Sequence, residues 1–250
     1  MSHRPGPGWV PRQHGAWAML ALPLVVGAVH AGPRWWHLLL ASSWTVGYLA
    51  FHAAGLWLRS HGRSRYLPPV RVYGVLAVLL GGATVLVEPG VLVWAPLYAV
   101  LLTASLSLSW HREDRSLTNG MVTVLATSVM ALVAQAPASP DAAAWWIAGT
   151  LAAYFAGTVL YVKTMIRERG SRPVYAASVL FHVLAVAAVA AGAVAAGEST
   201  AITVAAALVL GLVAARAIVV PRRWPGLRPL TVGLGEIAAS LALGVVLVLA

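Results

Sequence analysis

The sequence predicts an all-α membrane protein, a polytopic transmembrane helical bundle of about nine spans. Three observations carry that expectation. Hydrophobic residues make up 60% of the 250 residues against 10% charged, with a mean hydropathy of +0.81. An ordinary soluble domain is about 45–50% apolar and about 25% charged. Apolar stretches of spanning length, about 20 residues each, recur along the whole chain and leave room for eight or nine spans but no large soluble domain. Of the 17 Lys and Arg residues, 16 fall in alternate loops.

Nine apolar segments follow from that reading, at about 15–32, 36–58, 70–87, 91–109, 119–136, 143–162, 173–196, 200–220 and 230–250. Turn-forming residues punctuate them: Gly32-Pro33, Pro68-Pro69, Pro89-Gly90, the stretch from Pro137 to Asp141, Gly197 and Pro225-Gly226. The division between the seventh and eighth segments rests on the short polar break Gly197, Glu198, Ser199, Thr200. The polar, Pro/Gly-rich start MSHRPGPGWVPRQHG has no small-residue cleavage signal, so the first apolar run is expected to be a retained span.

Charge gives sidedness. Arg4 and Arg12 precede the first span, and Arg59, Arg63, Arg65 and Arg71 follow the second. Arg112 and Arg115 follow the fourth, and Lys163, Arg167, Arg169 and Arg172 follow the sixth. Arg216, Arg222, Arg223 and Arg228 are assigned to the loop after the eighth. The opposite loops hold only Arg34, with Glu88, Asp141 and Glu198. The positive-inside rule then puts the N-terminus in the cytoplasm and the C-terminus outside, which needs an odd number of spans. It also accounts for the net charge of +10 without nucleic acid. Trp35, Trp36, Trp94, Trp145 and Trp146 fall at outer ends, and Trp57, Trp110 and Trp224 at inner ends, as interfacial anchors do.

An internal repeat is expected as well. LWLRSHGRSRY at 56–66 and LYVKTMIRERG at 160–170 align with a shift of 104, so that Arg59 meets Lys163, Arg63 meets Arg167 and Arg65 meets Arg169. RSLTNGM at 115–121 is similar to RPLTVGL at 228–234. The single membrane domain, 1–250, then divides into repeat 1 at about 12–111, repeat 2 at about 116–224 and a ninth helix at about 229–250, the two repeats running parallel. This plan resembles that of the UbiA prenyltransferase superfamily. That superfamily places aspartate-rich, magnesium-binding motifs in the loops after helices two and six. Here those loops carry Arg and Lys, with Glu168 as the one acid, and magnesium wants carboxylate oxygens. The motifs HGAWAM, within PRQHGAWAML at 11–20, and RERG, within IRERG at 166–170, resemble the YwiC-like family of bacterial membrane proteins. That resemblance implies a bacterial cell-membrane location and no particular reaction.

Ionisable groups inside spans are expensive in lipid and mark candidate sites. His52 lies seven residues before Arg59, roughly 10 Å below the inner surface. His182 and Glu236 fall at similar depth, His14 and Asn119 at the inner mouths of the first and fifth spans. Together with Arg59, Arg63, Arg65, Lys163, Arg167 and Arg169 they make a candidate ligand cavity open to the cytoplasm. Each has a plainer alternative: the histidines as hydrogen-bonded core residues, the arginines as headgroup anchors. Glu236, in GLGEIAAS, needs a partner such as Arg, His or Lys163. Cysteine is absent, and His, Asp and Glu have no metal-ligand spacing. No Walker, GxGxxG, HExxH or GxSxG motif occurs. The function expected is binding of an amphipathic anionic ligand (lipid, quinone or prenyl-like), with or without a magnesium-independent transferase reaction. The alternatives are a transporter using Glu236 and the histidines, or a non-catalytic membrane assembly protein. No cofactor, metal or nucleic-acid partner is expected beyond the lipid bilayer.

Overall fold

The computed structural model describes residues 8–11, 14–136 and 138–250, and the backbone but not the side chain of His14. The expectations for Arg4, Arg12, Gln13 and the His14 side chain lie outside the described residues. Among those residues there are nine α-helices and no strand. They are α1 (His14–His30), α2 (Trp36–Arg59), α3 (Leu67–Val87), α4 (Ala95–Trp110), α5 (Leu117–Val133), α6 (Ala142–Val162), α7 (Arg172–Ala196), α8 (Thr200–Arg223) and α9 (Pro229–Val248). A π-turn, Lys163–Arg167, prolongs α6.

The helix ends follow local chemistry. Asp141 caps α6 by accepting the Ala144 N–H at 2.7 Å, and Ser199 caps α8 by accepting the Ile202 N–H at 3.3 Å. Proline opens the first turn of α3, α4, α7 and α9, where its missing N–H leaves nothing unpaired. Gly197 ends α7 in the left-handed region, φ +81°, which confirms the short break between the seventh and eighth segments. Several boundaries differ from expectation by a few residues, and one of them changes the place of a charged residue. Pro221 sits in the last turn of α8 instead of ending it, so the helix runs on to Arg223. Arg216 is therefore inside α8, about 10 Å from its end along the axis, not in a loop.

Among the described residues, six helices are long and apolar enough to cross a membrane: 64–87, 89–110, 142–167, 172–196, 200–223 and 229–248. α1 and α5 are apolar but shorter, at 17 residues each. α2 has the length, at 24 residues, but carries His37, Ser42, Ser43, His52 and Arg59. Large aliphatic side chains are exposed along these helices, among them Val75, Val78, Leu79 and Leu86 of α3 and Leu208 and Leu212 of α8. Such a surface is excessive for a protein in water and ordinary for one in lipid. The chain is a multi-pass membrane protein.

The helices sort into two compact units. One holds α2, α3, α4 and most of α5; the other holds α1, the end of α5 and α6 to α9. In the first, α2 packs against both α3 and α4. Gly55 lets it approach α4, because a Cβ there would lie 3.3 Å from Ser109 Oγ. In the second unit α6 packs on α7 and α9, α7 on α8, and α8 on α9. α6 is its central helix, burying Ile147, Leu151, Tyr154 and Phe155 almost completely.

Candidate functional site

The candidate residues of the first unit are engaged locally. Arg59, the last residue of α2, pairs with Asp114 at 2.9 Å. Arg63 is exposed, and its backbone N–H donates to Ser60 Oγ. Arg65 is exposed too; it donates to the Tyr66 hydroxyl at 3.0 Å and lies over that ring. Asn119 is buried and fully used, accepting from Ser105 Oγ and donating to the Asp114 carbonyl at 2.9 Å. It ties α5 to α4 and to the loop between them. His52 is half-buried in α2.

The second unit concentrates buried polarity. Tyr154, Thr158, Tyr161 and Met165 recur at the three-and-four spacing of one helical face on α6 and its π-turn. Val232, Glu236, Ser240 and Leu243 do the same on α9 and are all buried. Glu236 meets two partners. Thr158 Oγ1 donates to its Oε2 at 2.8 Å, and Arg216 Nη1 of α8 forms an ion pair with its Oε1. Ser240 Oγ donates to the Glu236 carbonyl at 2.8 Å, and the Tyr154 hydroxyl stands 3.0 Å from both. The Arg216 guanidinium stacks 4.2 Å from the Tyr161 ring centroid, a cation–π contact.

His182 of α7 is buried beside this cluster. Its Nδ1 lies 2.6 Å from the Ser178 carbonyl, which only accepts, so Nδ1 carries the proton. Its Nε2 is buried without a partner and lies against Gly157, where a Cβ would sit 2.9 Å away. A histidine fits there because position 157 is glycine. Arg216 is also incompletely used: Nε and Nη2 are buried with no hydrogen-bond partner, although 19% of the side chain is exposed.

Toward the end of the same unit, the π-turn, the start of α7 and the end of α8 enclose a groove of about 220 Å³. Its lining combines apolar Met165, Tyr175 and Pro221 with Arg169, Arg172 and Arg222 and one acid, Glu168. Met165 also packs with Tyr161, Ala217 and Val232, which joins the groove to the helix faces bearing Arg216 and Glu236. Arg169 is held by two hydrogen bonds to the Met165 carbonyl, at 2.9 and 3.1 Å, and Arg222 lies over the Tyr175 ring. Lys163 pairs with Glu168 at 2.8 Å, while Arg167 is exposed and does not line the groove. Among the described residues no three His, Asp or Glu side chains gather as a metal site.

The structure thus brings Glu236 together with Thr158 and Arg216 and sets Arg169 in the groove. Lys163 and His182, offered as partners for Glu236, are bonded to Glu168 and Ser178. Sequence reasoning missed Arg216 as a site residue, and with it Tyr154, Thr158 and Tyr161. The signal for Arg216 was present: the run LVAARAIVV places one arginine among apolar residues on both sides.

A family model described as YwiC-like protein matches residues 10–135. The chain is 31% identical over 166 residues to a protein of Bacillus subtilis (strain 168) described as uncharacterized protein YwiC, covering 65% of this chain and 69% of that one. It is 26% identical over 177 residues to an uncharacterized protein of Haemophilus influenzae, covering 70% of this chain and 74% of the relative. No solved structure matches.

Proposed function

The chain belongs to the YwiC-like family, and from that premise we propose that it binds an amphipathic ligand with an anionic headgroup at the basic groove of the second unit. The observation that carries this reading is the groove lining itself. Three arginines, Arg169, Arg172 and Arg222, outnumber the one acid of the lining, Glu168, which is already paired with Lys163, and Met165, Tyr175 and Pro221 give the groove an apolar part. Guanidinium groups bind phosphate or carboxylate through charge-assisted, often bidentate hydrogen bonds. The apolar part suits the first segment of an acyl or prenyl chain. A groove of about 220 Å³ takes a headgroup and its neck, and the rest of such a ligand lies along the exposed aliphatic helix faces.

Arg169 is pre-positioned by its two bonds to Met165, and Arg222 by the Tyr175 ring, so little side-chain freedom is lost when a headgroup arrives. Arg167 and Arg223 add positive charge nearby in the chain, whereas Lys163 is offset by Glu168. By the positive-inside rule this end of the bundle faces the cytoplasm.

Native mass spectrometry of the protein purified in mild detergent tests the proposal. Wild type is expected to retain an anionic lipid. The variant Arg172→Gln/Arg222→Gln is expected to lose at least about tenfold in retention, since each charge-assisted hydrogen bond contributes about 1.5–3 kcal/mol. Equal retention by the two proteins would refute it.

A further inference from the structure

The Glu236–Arg216 pair raises a question that the groove does not answer. The second unit buries a carboxylate, of which 8% is exposed, against a guanidinium that uses Nη1 for the pair and nothing for Nε and Nη2. Nε–H and one N–H of Nη2 form the side edge of the guanidinium, whose two parallel donors fit two oxygens of one anion. Leaving such donors unmet in an interior costs about 1–3 kcal/mol each. Tyr161 covers one face of the group, and neither the Thr158 hydroxyl nor Ser240 is bonded to it.

We propose that Glu236 and Arg216 form a proton-coupled anion site, in which a proton on Glu236 and a monovalent oxyanion on the Nε/Nη2 edge of Arg216 bind together. The argument is charge balance in a low-dielectric interior. With Glu236 ionised the pair is neutral, and adding an anion would leave a net negative charge, which is expensive. With Glu236 protonated the ion pair is broken, and Arg216 alone leaves a net positive charge, equally expensive. Proton and anion together restore neutrality: the proton goes to a Glu236 carboxylate oxygen, and the anion replaces the carboxylate as counter-ion of Arg216. Linkage then requires each to tighten the other's binding by the same factor.

The groups facing the pair do not supply a competing counter-charge. α6 contributes Tyr154, Thr158 and Tyr161, and α7 contributes His182, whose Nδ1 is bonded to Ser178. The π-turn that packs on α9 contributes Lys163, already paired with Glu168. This inference does not depend on the groove: it concerns different atoms and a small anion.

Methanesulfonate is the probe, because its charge stays at −1 across the accessible pH range and its oxygens fit the guanidinium edge. In weakly buffered lipid nanodiscs, wild type is expected to take up close to one proton per anion bound, with affinity falling about tenfold per unit rise in pH above the Glu236 titration. Glu236→Gln is expected to bind the anion with no proton uptake and no such pH dependence. Arg216→Lys, which keeps the charge but loses the paired donors, is expected to bind at least tenfold more weakly. Anion binding by wild type without proton uptake, or no binding at all, would overturn the proposal, and this arm needs no variant to fold.

Discussion

At the scale of single residues, the second unit buries an ion pair, Glu236 with Arg216. Burying two charges in a low-dielectric interior is barely repaid by their attraction, whereas removing one partner strands the other. Arg216→Met alone is therefore expected to destabilise the protein by about 3–5 kcal/mol, and the double variant Arg216→Met/Glu236→Leu by far less, or not at all. Thermal unfolding in detergent, compared across the single and double variants, checks the non-additivity. Equal losses in both would mean that the pair contributes net stability. Asp141 makes a smaller, pH-dependent contribution. The Ala144 N–H bonded to its carboxylate, more than His30 beside it, holds its pKa below the usual carboxylate range. A depressed carboxylate pKa stabilises the fold above the unfolded-state value of about 3.9 and loses that contribution as pH falls below it. Asp141→Ala should cost about 0.5–1 kcal/mol at neutral pH, the low end of N-cap losses because the side chain is largely exposed. The loss should vanish in acid; a pH-independent loss would remove the carboxylate from the explanation. Glu236 was legible in the sequence as a buried acid in need of a partner. The signal for Arg216, a lone arginine in an apolar run, is masked because it stands only five residues before Pro221 and so reads as part of the basic loop, while α8 in fact continues through that proline.

At the scale of elements, most of the helices were readable because membrane spans are long apolar runs bounded by turn residues. The segments drawn at 143–162 and 173–196 differ by a single residue at one end from α6 and α7, and the Gly197 break was correctly placed. The π-turn after α6 was not readable: KTMIR has no composition that separates it from a continuing α-helix, and it matters because it carries Met165 toward the groove. Helix contacts were not legible, because glycine marks some close crossings and not others: nothing lies within 4 Å of a Cβ built at Gly233 or Gly235. Gly27 of α1 does mark one. A Cβ there would lie 2.4 Å from the Ala131 carbonyl oxygen and 2.7 Å from its Cα, so both are backbone atoms that cannot rotate away. Gly27→Ala is expected to push α1 from α5 and cost about 1–3 kcal/mol, despite alanine's better helix propensity. Gly47→Ala in α2, where nothing lies within 4 Å, is the control and should be neutral or stabilising by up to about 1 kcal/mol. Equal effects at the two positions, read from melting temperatures, would contradict the close crossing.

For the molecule as a whole, the apolar surface and the six long apolar helices establish a multi-pass membrane protein. The charge pattern supports an N-terminus inside and a C-terminus outside. A C-terminal alkaline phosphatase fusion is expected to be active, and an inactive one would reverse that topology. On the proposal made above, one place on this surface, the arginine-lined groove of the second unit, selects an anionic headgroup from the surrounding lipid. Photo-crosslinking tests it most directly. A phosphatidylglycerol analogue bearing a diazirine near its headgroup is incorporated into nanodiscs with the protein, and the labelled peptides are sequenced. Label is expected to concentrate at residues 164–175 and 221–225 and to fall at least about tenfold in Arg172→Gln/Arg222→Gln. Label spread evenly over the exposed faces of α3, α4 and α8, and unchanged by those substitutions, would contradict it.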